Sequence, residues 1–349
     1  MSRAYSNFIN TLDSPATRKI YAYCLEQFLT CSQKNLENFL KLPAEQQTDL
    51  ITQYLVQRHV SRQFKNVIFA TIRHALEVND SLLNWRKIKK FIRSSQKSGN
   101  EIAGRDRGYT HEEIQKILEF SDQQIKTCFL ILASTGIRIG ALPSLKVGDL
   151  KRVQDLYKLN IYSDDQDDKY VTFCTPEAAK EIDAYLEFRK RRQEHITSDS
   201  YLIVKKFSSG GKSEPYTGYS LRSILQFNID NTGLREKSHN RSKRKEVPLS
   251  HGFRKFFTKQ LVDSKVDAAK MELLHGHDIG LTGKYYRPTE QDMLNEYLKA
   301  IPLLTISNEE RLKFKLEERI TIEKTQVQAM REDMEKFKKE IAAMKRKRK

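Results

Sequence analysis

Residues 251–287 read HGFRKFFTKQLVDSKVDAAKMELLHGHDIGLTGKYYR. The stretch predicts two helices, His251 to Val262 and Ala268 to His275, with a third from Glu290 to Leu298 beyond it. His251 and Arg254 stand three apart and so share one face at the start of the first helix, where the helix dipole also favours an anion. His275 and His277 flank Gly276, and Tyr285 and Tyr286 close the stretch. The two histidines are not read as a metal site, since no cysteine accompanies them.

Upstream, Thr110 followed by Glu113 forms a capping box that opens the helix HEEIQKILEF. An apolar helix follows (IKTCFLILAST, 125–135), then a glycine-containing turn and a short helix (IGALPSLKV, 139–147). Two β-rich runs, LYKLNIY (156–162) and YVTFC (170–174), are separated by the acidic turn SDDQDD, which predicts a hairpin inside a helical domain. Helices are expected again over Pro176 to Arg192 and Leu221 to Phe227, and EVPL (246–249) reads as strand-like.

The first 98 residues contain no glycine and follow helical spacing throughout. The last helix of that segment sets Trp85, Ile88, Phe91 and Ile92 on one face, and Arg86, Lys87, Lys89, Lys90 and Arg93 on the others, with no acid among them. A solvated face is the common outcome for one basic helix, but a run without a single acid points to phosphate. SSQKSGNEIAGRDRG (94–108) is polar and carries three glycines, as an exposed linker does.

At the other end, Leu316, Ile320, Val327, Met330, Met334, Phe337, Ile341 and Met344 occupy successive a and d positions of a heptad, interrupted only by Glu323. The expected organisation is a helical domain over 1–98, a linker over 99–108, a mostly helical domain with a small antiparallel sheet over 109–304, and a coiled-coil tail with a basic end over 305–349.

The whole chain has 349 residues and a net charge of +17, from 62 Lys and Arg against 45 Asp and Glu, which points to a polyanionic partner. No stretch approaches the roughly 18 uninterrupted apolar residues of a membrane span, and no signal-peptide pattern opens the chain, so a soluble, cytoplasmic protein is expected. The four cysteines (Cys24, Cys31, Cys128, Cys174) form no close pair, which argues against structural zinc and for a reducing compartment. Cys24 and Cys31 read as buried helix residues. Signatures of nucleotide hydrolysis, ester hydrolysis and zinc proteases are missing.

What remains is a sparse cationic constellation: Arg138 in TGIRIGAL, Lys169 in the hairpin turn, His251 and Arg254 in HGFR, His277 in LLHGHDIG, and the tyrosine pair in GKYYRP. Two arginines and two histidines converging on one place repel unless something anionic sits between them, and a phosphate fits. A further cationic run, Arg235 to Lys245, holds six cations and one acid, among them Arg241, Lys243, Arg244 and Lys245. It reads as a DNA-contacting segment, with a charged loop as the plainer alternative.

In this order, TG-x-R, hairpin lysine, H-x-x-R, GH and then tyrosine, the chain resembles the catalytic domain of the tyrosine recombinases, the phage and archaeal-virus integrases, over about residues 107–300. The resemblance implies strand exchange on double-stranded DNA by a dimer to tetramer, with no metal or other cofactor. It implies that Arg138, Arg254, His251 and His277 stabilise the charge of a five-coordinate phosphate. By the family's spacing, nine residues beyond His277, Tyr286 is the nucleophile and forms a 3′-phosphotyrosine, leaving Tyr285 to pack against the domain. Lys169 is then the general acid for the 5′-oxygen, its alternative being charge balance for Asp167 and Asp168, and His251 shuttles the tyrosine proton. The family's acidic residue three after the first arginine is Ala141 here, and His275 displaces the usual leucine. A type IB topoisomerase, or a DNA-binding protein derived from a recombinase and catalytically impaired, are the competing expectations.

Overall fold

Two separate hydrophobic cores organise this computed structural model, which describes residues 2–95, 107–165, 168–205, 214–234, 247–280, 283 and 285–347. The chain divides into compact units at residues 1–103 and 104–349.

The first unit is six helices: α1 (Arg3–Asn10), α2 (Pro15–Cys31), α3 (Leu36–Leu40), α4 (Ala44–Gln57), α5 (Arg62–Glu77) and α6 (Trp85–Ser95). Ser2, Ser14, Asn35 and Ser61 cap α1, α2, α3 and α5 by accepting a backbone N–H from their first turns. Phe28 is the centre of the core, edge-on to Phe39 at 5.1 Å and to Tyr54 at 5.2 Å. In α6, which packs on α4, Ile88 is fully buried while Arg86, Lys87, Lys89 and Lys90 are exposed. Phe91 departs from expectation: it is exposed rather than part of the apolar face. The Arg93 side chain lies outside the described residues. All four cysteines are free, and Cys31, expected to be buried, is exposed near the end of α2.

The second unit runs α7 (His111–Glu119), α8 (Gln123–Thr135), a 3-10 segment (Ile139–Ser144), β1 (Leu150–Val153), β2 (Leu156–Ile161), β3 (Tyr170–Phe173), α9 (Pro176–Arg191), α10 (Gly218–Asn231), α11 (Leu249–Asp263), α12 (Ala268–Leu274), α13 (Glu290–Leu304) and α14 (Asn308–Lys347). The Thr110–Glu113 capping box forms at the start of α7. α8 is buried from Gln124 to Thr135 except at Lys126, as an apolar helix lodged between α9 and α11 must be.

The sheet is an antiparallel meander of three strands rather than two, with Leu150 opposite Leu159 and Ile161 opposite Tyr170. The added strand, Leu150–Val153, carries Lys151 and Arg152 on a sheet edge, so its sequence has too little alternation to mark it. Pro143 holds 139–144 in a 3-10 coil instead of an α-helix. The strand-like reading of EVPL fails where the structure describes it, since Pro248 is the N-cap of α11. No helix among the described residues is long and apolar enough to cross a membrane.

Candidate active site

The site gathers at the C-terminal ends of α8 and α12 and the first turns of α11. α8 ends at Gly136, whose φ of +61° gives the left-handed turn that closes a helix. A Cβ there would fall 2.3 Å from the Phe257 ring, so glycine is required by packing as well as by dihedral. Arg138 follows two residues later, on the exposed corner ahead of the 3-10 segment.

Arg254 lies half-buried one turn beyond His251 in α11, and its guanidinium ties three elements together. Nη1 donates to the Gly136 carbonyl at 2.8 Å, while Nη2 donates to the His275 carbonyl at 2.8 Å and to His277 Nε2 at 2.7 Å. Three of its five N–H donors are thus fixed by the protein. Burial pulls the Arg254 proton affinity below its ordinary value, with the like charge of Arg138 acting in the same direction and Tyr170 against it. Tyr170 is pushed up to about 12 by burial despite both arginines beside it. The Tyr162 hydroxyl, also raised by burial, feels Arg138, Asp168 and Arg254.

α12 ends in a Schellman motif. Gly276 takes φ +65°, its N–H bonds the Leu273 carbonyl at 2.9 Å, and the His277 N–H bonds the Glu272 carbonyl at 3.0 Å. The Tyr170 ring fills the space where a Cβ on residue 276 would stand, 2.4 Å away. The motif folds residue 277 back over residue 272, and His277 Nδ1 meets Glu272 Oε2 at 2.5 Å. His275 points inward: Nε2 is 2.9 Å from the Thr258 hydroxyl, and its ring stacks 5.5 Å from that of His277.

The sequence expectations meet this geometry unevenly. Arg138, Arg254 and His277 form one cluster, and His251 is exposed on the first turn of α11 just ahead of it. Lys169 is exposed at the lip of β3, one residue from Tyr170. Tyr286 is 37% exposed and makes no hydrogen bond to the cluster; the ammonium of Lys270 is the charge beside it. Tyr285, expected to pack against the domain, is instead 91% exposed. Arg241, Lys243, Arg244 and Lys245 lie outside the described residues. Ala141 is buried, and Arg138 has no carboxylate partner among the described residues. Among the described residues, no three His, Cys, Asp or Glu side chains gather as a metal site would require. Sequence reasoning missed Glu272 and Tyr170.

The phage integrase family matches residues 108–292, more than half the chain, and the chain belongs to that family of tyrosine recombinases. A comparison of the sequence with curated proteins gives no match. Among solved structures, the chain is similar to the XerH site-specific recombinase bound to difH substrate, at 16% identity and TM-score 0.52, covering 80% of this chain and 78% of that one. It is similar to a lambda integrase tetramer bound to a Holliday junction, at 13% identity and TM-score 0.51, with 82% and 76% covered. The Tn1549 transposon integrase in complex with transposon right end DNA aligns at 14% identity and TM-score 0.53, with 85% and 98% covered. These likenesses establish the fold.

Proposed function

We propose that the chain cleaves and rejoins duplex DNA as a site-specific recombinase acting in a reducing, cytoplasmic setting. The observation that carries this reading is the locked Arg254, held on Gly136, His275 and His277 with the charge of Arg138 alongside. A phosphodiester bound there meets two guanidinium groups with an imidazole beside them, and cationic groups held before the reaction stabilise charge that grows in the transition state. The cationic side chains supply this without calling on a metal.

Tyr286 attacks phosphorus, the 5′-oxygen leaves as the P–O bond breaks, and a 3′-phosphotyrosine holds the bond energy until a 5′-hydroxyl reverses the step. Lys169 donates the proton to the leaving oxygen, and His251 carries the proton away from Tyr286. The exposed cations of α6 contact the DNA backbone, and α14 pairs protomers into the dimer to tetramer that strand exchange needs.

A second reading has one observation in its favour: Ala141 stands where the resemblance expects an acid, and among the described residues Arg138 has no carboxylate partner, as in a binding protein derived from a recombinase. Incubation with a library of its own element's DNA, followed by denaturing isolation of protein-linked fragments, separates the two. The recombinase reading expects an adduct from the parent chain and from Tyr285→Phe, and none from Tyr286→Phe, which still binds DNA. An adduct that survives Tyr286→Phe rejects Tyr286 as the nucleophile, and no adduct from the parent chain favours the binding protein.

A further inference from the structure

Glu272 and His277 are five apart in sequence, too far to share a helical face, and the left-handed Gly276 is what brings them together. The hydrogen bonds around the His277 ring then fix its proton. Arg254 can only donate, so His277 Nε2 is an acceptor; a carboxylate oxygen accepts, so Nδ1 carries the hydrogen. In this arrangement the ring is neutral and turned edge-on to the guanidinium.

A phosphate oxygen between Arg138 and Arg254 asks the reverse of Nε2, which must then donate. With Nδ1 keeping its hydrogen on Glu272, the ring can do so only with hydrogen on both nitrogens, as a cation beside the guanidinium of Arg254. The groups that meet it are Arg254 from α11, and His275 and Glu272 from α12 and its end, with Arg138 beside Arg254 and the Tyr170 ring against the neighbouring Gly276. Among these Glu272 is the carboxylate.

We propose that Glu272 is a positioning residue for strand cleavage: it holds His277 in the Nδ1–H form and supplies the negative charge that allows Nε2 to donate to the phosphate. Built on the recombinase reading above, this assigns Glu272 a part in the reaction although it touches no reacting atom. The arrangement parallels a carboxylate orienting a catalytic imidazole through its other nitrogen.

Histidine-selective 15N spectra of the full-length chain test the proton placement without any DNA. His277 should give the Nδ1–H pattern in the parent and lose it in Glu272→Ala; an Nε2–H ring in the parent overturns the proposal. Single-turnover adduct formation on cleavable DNA tests the consequence. Glu272→Gln, which keeps a hydrogen-bond acceptor without the charge, should slow cleavage about tenfold, and Glu272→Ala about a hundredfold. DNA affinity and melting temperature should change little in Glu272→Gln.

In a His277→Ala background, Glu272→Gln should cost nothing further, because its effect passes through the ring. A fully additive loss, or a parent rate in Glu272→Gln, rejects the proposal while leaving the recombinase reading intact. Lack of adduct from the parent chain counts against that reading instead, and the spectra then decide on Glu272 alone.

Discussion

His275 is 3% exposed, and its neighbours hold it neutral. The Thr258 hydroxyl donates to the Arg254 carbonyl, so His275 Nε2 must donate to Thr258, and Nδ1 is left buried without a hydrogen-bond partner. Protonating Nδ1 would place a charge in the core near Arg254, His277 and Arg138. Burial first, and those charges after it, push His275 down to about 3 from an ordinary 6.5. Between those values the unfolded chain takes up a proton that the folded chain refuses, so stability rises with pH and is lost as pH falls below about 6.5. Melting temperature should therefore drop on acidification from pH 7 to 5, and His275→Gln should show a shallower drop; parallel slopes would remove His275 from the acid sensitivity. At this scale the sequence singled out Arg138, Arg254 and His277 through the order of their short motifs, while their meeting belongs to the fold, Arg254 reaching the Gly136 carbonyl across 118 residues. Glu272 was hidden, since it meets His277 only through the backbone reversal at Gly276, although a glycine just past a helix end is itself the signal that the residue after it returns to the last turn.

At the scale of elements, α6 buries Ile88 in the first core and exposes Arg86, Lys87, Lys89 and Lys90, with Phe91 exposed beside them and no acid on the helix. If these cations face phosphates, each contact adds about 0.9 to the slope of log affinity against log salt. Lys87→Glu, Lys89→Glu and Lys90→Glu together should lower that slope by up to about 2.7 and weaken binding to every DNA sequence alike. The melting temperature should hold, since none of the three packs in the core. A fluorescence titration over a salt series reads the slope, and an unchanged value takes α6 off the DNA surface. The long helices were legible from their periodicity and caps, α7 from its capping box and α8 from its continuous apolar run. β1 and the 3-10 segment were not, because a four-residue edge strand with charges at its centre and a coil fixed by one proline carry no period to read.

At the scale of the whole molecule, α14 is the element that its own chain does not finish covering. Its base is fastened to the second core: Glu177 accepts the N–H groups of Ile306 at 2.7 Å and Ser307 at 3.0 Å, Lys180 pairs with Glu310 at 3.0 Å, and Phe314 packs against the buried cluster. From Leu316 onward the heptad residues Leu316, Ile320, Val327, Met330 and Met334 are all exposed. A helix of this length draws little stability from propensity alone, and an apolar stripe left in water is the form that two-stranded coiled coils bury. Ile320 and Val327 at a positions suit a parallel pair. Light scattering should give the full chain a mass at least twice 40.8 kDa at micromolar concentration. A chain ending at Lys315 keeps Ile306, Ser307 and Phe314 and so preserves the second core, and it should fall to the monomer. Val327→Glu with Met330→Glu in the full chain should do the same by placing charge in the seam, which separates loss of pairing from loss of the tail. Equal masses for the full and shortened chains would show that the stripe is covered within one chain, and the assembly of protomers would then have to rest on other surfaces.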